Sequence, residues 1–299
     1  MHLKKVLEHH AWEESSLERA VFVKRARGGD GCQPGEVVAV LFAHVDDLLL
    51  ACNDQCRWLD SHLGDLQKLL HLERRDSNCF DYCGKQITVS TDAYRVGCPK
   101  AMKAVEPIPI PKGRADSALL VGEETTAYRS LLGVLLYAAT WVRGDLACPV
   151  SLAAQRTSVA TIADAKALNK VAKAGVEGAH KCVCIRRGIV DLTSAHVVAW
   201  GDSAFANAEG EKSQYGVCVG LSSNSRVTSD ETDFRLTVPV FYKSATVKRV
   251  VRSTLAAEAY AISEAVEAAQ LIRYVLLELM HRHLPPEAGS VRRGPGGAD

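Results

Sequence analysis

The chain has 299 residues, with 36 Lys and Arg against 35 Asp and Glu for a formal net charge of +1, and 47% of its residues are hydrophobic. That apolar content excludes a disordered chain, which lacks the residues to offset the entropy of ordering, and no apolar stretch approaches the ~20 residues that cross a bilayer. The near-zero charge argues against tight nucleic-acid binding by this chain alone, since proteins that grip many phosphates carry a clear basic excess.

Met1-His2-Leu3-Lys4-Lys5 leads into a mixed polar helix over residues 3–18, not into the apolar core of a signal peptide, so an intracellular chain is expected. The ten cysteines are scattered, and without a secretory context they read as reduced thiols. Neither Cys79 with Cys83 nor Cys182 with Cys184 belongs to the paired short spacings of a zinc site.

A strand is expected over Ala20–Lys24, then a loop rich in glycine and charge over Arg25–Gly35. Val37–Cys52 is nearly all apolar except His44, Asp46 and Asp47, which predicts two strands joined by a tight acidic turn. Trp58–Leu72 has helical spacing, and Asp81–Tyr94 reads as paired strands around Thr91-Asp92. Pro107, Pro109 and Pro111 make Pro99–Gly113 neither a helix interior nor a central strand, and the best linker candidate. Residues 126–179 read as helical, broken near Arg143-Gly144-Asp145 and Pro149. Strands are expected at Ala195–Trp200, Tyr215–Leu221 and Val238–Lys243, then a long helix from Ser253 to His283 and a disordered tail.

An acidic doublet inside an apolar run needs compensation, because burying carboxylates costs several kcal/mol. At a hairpin tip Asp46 and Asp47 could hold a divalent cation through hard oxygen ligands. Asp is equally at home in an exposed turn. On the last helix, at about 100° per residue, Leu255, Ala259, Ile262, Val266, Ala269 and Met280 share one face. That stripe is expected to meet the sheet, with Glu258 on its margin and Glu264, Glu267 and Glu278 in solvent. An edge-of-core glutamate also arises from simple amphipathic packing. Lys243, Lys248, Arg249 and Arg252 precede this helix and could track a nucleic-acid backbone, or form a solvated loop.

Phe42-Ala43-His44-Val45-Asp46-Asp47-Leu48 resembles the aromatic-Val-Asp-Asp hairpin of reverse transcriptases, especially those of copia-type LTR retrotransposons, with His44 in place of the usual tyrosine. Further resemblances follow in the family's order. Tyr128-Arg129-Ser130-Leu131-Leu132-Gly133 is similar to its Tyr-Arg-Ser-Leu-Ile-Gly segment, and Arg143-Gly144-Asp145-Leu146 to its Arg-Pro-Asp-Ile. Trp200-Gly201-Asp202-Ser203 and Lys212-Ser213-Gln214-Tyr215-Gly216 resemble the opening of its ribonuclease H domain. Tyr242-Lys243-Ser244 resembles the third strand, and Arg252-Ser253-Thr254-Leu255-Ala256-Ala257-Glu258 the helix after it, one residue different in spacing.

The resemblance implies a mixed α+β fold. Its parts would be a partial reverse-transcriptase palm over 1–105, a helical thumb or connection over 106–187 and a truncated ribonuclease H-like α/β domain over 188–284, before a tail over 285–299. It implies nucleotidyl transfer at Asp46 and Asp47 and hybrid hydrolysis at Asp202 and Glu258, with magnesium, or manganese in its place, on these four residues. The partners it implies are a primer–template or an RNA–DNA hybrid, and no membrane. It also implies incompleteness. The palm's further upstream aspartate is expected to be missing, and the acids after Glu258 (Glu264, Glu267, Glu278, Glu287, Asp299) do not follow a strand. Two half-sites predict a chain that is catalytically incomplete by itself, or a non-catalytic binding or interaction module.

Overall fold

The computed structural model describes residues 2–27, 32–45, 47–53, 58–70, 72, 76–192, 194–223 and 237–280, without the side chains of 2, 58–62 and 209. Asp46, Glu287, Asp299 and the expected tail lie outside these residues. The fold is mixed α+β, and the chain forms two compact units. One comprises Met1–Cys83 and the chain from Gln270 on; the other is Gly84–Ala269. No helix among the described residues is long and apolar enough to cross a membrane.

In the first unit, helix α1 (His2–His9) precedes strands β1 (Trp12–Glu14), β2 (Val21–Arg25), β3 (Val37–His44) and β4 (Asp47–Cys52), and α2 (Trp58–Leu69) follows. The four strands form one antiparallel sheet in chain order. Leu7, Trp12, Phe22, Val38, Leu41 and Leu66 fill its core. The single helix expected over residues 3–18 therefore stops early. After Ala11, which takes a positive φ of 57°, the chain turns and Trp12 enters a strand. The carboxylate of Glu278 accepts from the Ser16 hydroxyl at 2.6 Å, and the Glu278 carbonyl from Arg25 at 2.8 Å. Glu278, expected in solvent, is thus a tether.

The second unit follows the short strand β5 (Cys79–Tyr82). Strands β6 (Lys85–Val89), β7 (Ala93–Gly97) and β8 (Cys182–Arg186) pair antiparallel. Strand β8 was not expected; it places Cys182 and Cys184 on one face of an edge. Helices α3 (Pro99–Lys103), α4 (Glu123–Trp141), α5 (Ala147–Gln155) and α6 (Ile162–Glu177) build the main core around Met102, Tyr128, Leu135, Val150, Ile162 and Leu168. The stretch read as a linker is packed chain. Pro99 opens α3, where the missing N–H costs nothing. Ile108 is buried and exchanges two hydrogen bonds with the Asn169 amide, at 2.8 and 2.9 Å. Pro149 likewise lies in the first turn of α5 without breaking it.

A capping box of Thr161 and Asp164 starts α6, and Arg143 ends it. The Arg143 side chain is 1% exposed, donates to the Gly175 and Gly178 carbonyls at 3.0 and 2.9 Å, and forks onto Asp145 at 2.8 and 2.9 Å. The Gly175 carbonyl belongs to the last turn of α6, which has no internal donor for it, while that of Gly178, the C-cap, also accepts from the Lys181 N–H at 2.9 Å. Gly178 is required here, since a Cβ would lie 2.9 Å from the guanidinium.

Strands β9 (His196–Ala208), β10 (Lys212–Ser222) and β11 (Thr237–Thr246) form a second antiparallel sheet with β10 central. The long helix α7 (Thr254–Met280) follows and crosses the division between the two units.

Two outcomes test the Arg143 arrangement. Arg143→Ala should lower stability by about 3 kcal/mol in urea unfolding, because the Gly175 carbonyl loses its donor and Asp145 its buried partner. The Arg143 hydrogen bonds, against the opposing effect of burial and with help from Lys181, hold the Asp145 carboxyl at about 2 instead of the ordinary 3.8. A depressed carboxylate stabilises the fold above its unfolded pKa, and that stability is lost as pH falls through the folded value. The urea midpoint should therefore drop between about pH 4 and pH 2 more steeply in the wild type than in Asp145→Asn.

Candidate functional site

The acidic hairpin forms as expected. Val37–His44 pairs with Asp47–Cys52 in unbroken register, closing on His44 opposite Asp47. The loop between them is two residues long. Val45, at its tip, is 86% exposed with a φ of +51°. A β-branched residue in the left-handed region is strained, and here no burial of the side chain offsets the strain. Asp47 is exposed on the outgoing strand, while Asp46 lies outside the described residues. The Tyr82 hydroxyl donates to the Phe42 carbonyl at 3.4 Å. Its pKa is pushed up to about 12, first by burial, then by Cys83 and by the negative charge of Asp47. The upstream strands offer no further carboxylate to this tip. β2 and β3 contain none. In β1, Glu13 pairs with Arg25 and Glu14 with Lys4.

The second expected pair does not assemble. Asp202 lies midway along β9, an edge strand, and not at the end of a central one. A Cβ on Gly201 would lie 2.5 Å from the Ala261 carbonyl oxygen, so Gly201 faces α7. The pleat turns the next residue to the opposite face. There Asp202 lines a groove with Gly144, Ala147 and Cys148. Glu258 is on α7, beside the buried Ala257. Carboxylates on opposite faces of a sheet cannot share metal ions ~3.5–4 Å apart, so Asp202 and Glu258 do not fit the two-metal site expected of them. Among the described residues, no group of three or more His, Cys, Asp or Glu is placed to hold a metal ion.

The helix face is also inverted. Leu255, Ile262 and Val266, expected against the sheet, are 78%, 55% and 49% exposed, while Ala257, Ala261 and Ala265 are buried. The cause is steric. With no side chain at Gly201, the helix backbone settles directly onto the strand, and the buried alanines Ala257, Ala261 and Ala265 line the approach. This rotation brings in Glu264, which was expected in solvent. Its carboxylate accepts from the Tyr215 hydroxyl at 2.7 Å and from Lys243 at 3.0 Å. Burial opposes the charge on Glu264, but the bonds from Tyr215 and Lys243 outweigh it and keep the carboxyl below its usual range. Burial likewise pushes the Tyr215 hydroxyl up to about 12.

Lys243 is thereby committed to an ion pair under α7 and lies 5.3 Å from the centre of the Tyr215 ring. Of the four basic residues considered for nucleic acid, Lys248, Arg249 and Arg252 are exposed in the loop before α7. Sequence reasoning missed Gly201, Tyr215 and Glu264. The available signal was the alanine run at intervals of four, which marks a close helix contact as clearly as a leucine stripe marks an ordinary one.

No family model, no curated protein and no solved structure matches this chain.

Gly201→Ala should lower stability by about 2 kcal/mol, because the added methyl forces backbone off backbone. Leu255→Ser should change it by less than about 0.5 kcal/mol. Urea unfolding of the two variants measures both, and the reverse order would contradict the helix orientation described here.

Proposed function

We propose that this chain is a segment of a copia-type retrotransposon polyprotein, carrying the acidic-hairpin part of a reverse-transcriptase palm and catalytically incomplete by itself. The observation that carries this reading is the β3–β4 hairpin. Its unbroken register and short tip put Asp47 at the exposed start of the outgoing strand, with strain at Val45. Strained residues persist where the surroundings over-determine them, and they cluster at functional sites. The parent reaction on this reading is template-directed nucleotidyl transfer, and magnesium or manganese held by Asp46 and Asp47 would stabilise charge on the transferred phosphate. Two adjacent carboxylates do not make a two-metal site, and the ion pairs of Glu13 and Glu14 remove the nearest upstream acids from contention.

The order of elements downstream supports the same origin: a helical region, three antiparallel strands, then a long helix across the sheet. No hydrolytic step is assigned to Asp202 and Glu258, because their placement on opposite faces speaks against it. The C-terminal region is better read as a non-catalytic scaffold with the exposed cations Lys248, Arg249 and Arg252 available to a nucleic acid.

Primer-extension assays test the reading. The chain alone with magnesium or manganese should synthesise no DNA above an Asp46→Asn/Asp47→Asn control. The same chain fused behind the fingers and first palm strand of a copia-type enzyme should synthesise DNA, and the double change should abolish it. Synthesis by the chain alone, removed by the double change, would refute incompleteness. A folded but inactive fusion would refute the palm assignment.

A further inference from the structure

Asp202 sits in a site of its own. The strand register sets Trp200, Cys218 and Tyr242 in one row across the three strands, and Asp202, Gly216 and Ser244 in the next row. Directly opposed residues of antiparallel strands project to the same side, so both rows share the face turned away from α7. Gly216, in the middle of the second row, leaves a hole: nothing lies within 4 Å of where its Cβ would be. Around this hole is a groove of about 340 Å³, walled on the far side by Gly144, Ala147 and Cys148.

The chemistry of the lining is specific. Asp202 contributes a carboxylate that pairs with no cation among the described residues, and Trp200 and Tyr242 contribute aromatic surface beside it. Lys243 also borders the groove, but its register projects it to the other face, where Glu264 holds its ammonium. The helical wall does not make this an anion site. The 3-10 turn leading into α5 already occupies the Ala147 N–H, which bonds the Gly144 carbonyl. A carboxylate beside aromatic faces recognises an organic cation, and a planar guanidinium meets both demands at once, forking onto the carboxylate while stacking on a ring.

The geometry points to this groove as a binding site for a guanidinium group, an arginine side chain or free arginine, seated over Gly216 between Asp202 and the Trp200 and Tyr242 rings. The inference does not rest on the reverse-transcriptase reading, and neither aspartate of the acidic hairpin takes part in it.

Isothermal titration of the full chain tests it with N-acetyl-arginine methylamide, its neutral citrulline counterpart, free arginine and a glycine-flanked arginine peptide. The arginine amide should bind saturably below about 10 mM, and the citrulline compound at least about tenfold more weakly. Asp202→Asn should weaken the arginine amide by about tenfold or more. Gly216→Val should abolish binding and leave the thermal unfolding midpoint close to wild type, since the added side chain enters empty space; Gly216→Ala serves if the valine variant does not fold. Binding of the peptide at least as tight as free arginine identifies a protein partner, and the reverse identifies a small molecule. Equal binding of citrulline, insensitivity to Asp202→Asn, or no saturation by any arginine compound would overturn the inference.

Discussion

The buried guanidinium of Arg143 organises the larger unit. One side chain ends α6 by bonding the Gly175 carbonyl of its last turn and the Gly178 carbonyl of its cap, and the fork onto Asp145 supplies the charge that makes its burial tolerable. With Thr161 and Asp164 closing the other end, α6 is satisfied at both termini. Its Asn169 then holds the proline-rich chain at Ile108 in place. The helical core is thus fastened by polar contacts at its ends and apolar ones between.

The same turn carries the connection to the sheet. Gly144 lies between Arg143 and Asp145, and a Cβ there would come within 3.1 Å of the Tyr242 ring. The glycine between the two forked residues is therefore also the one that admits the aromatic ring of β11. A side chain at this position would require the ring or the turn to give by a few tenths of an ångström, at the wall of the groove over Gly216. Core stability and groove shape are set by neighbouring atoms of one tripeptide.

Much of this was legible from the residues. The apolar run of Val37–Cys52 with an acidic break could be little else than a hairpin, and alternation marked β10 and β11 to within a few residues. What failed has a common physical cause. Hydropathy ranks Leu255 and Ile262 above alanine, but it carries no information about how closely two backbones approach. The close approach is set by an absent side chain at Gly201, on another element altogether. Proline-rich sequence misled in a similar way: it correctly excluded a helix interior, yet Ile108 and Asn169 still pack that chain into the core. The separation of Asp202 from Glu258 followed from the same inversion, since a strand residue one place removed from the helix contact must face the other way.

The first unit draws on both ends of the described chain, with Ser15 and Ser16 bonded to Glu278 across more than 260 residues. All of the second unit is synthesised before Gln270. During translation Ser15 and Ser16 therefore remain without Glu278 until the chain of the second unit has been made. Domains generally fold as units in the order they leave the ribosome, and here one unit lacks its Glu278 contacts until the whole of the other has been made. Of the two units, the one built on β1–β4 is therefore the later to complete its contacts, and the interval open to aggregation falls on its strands.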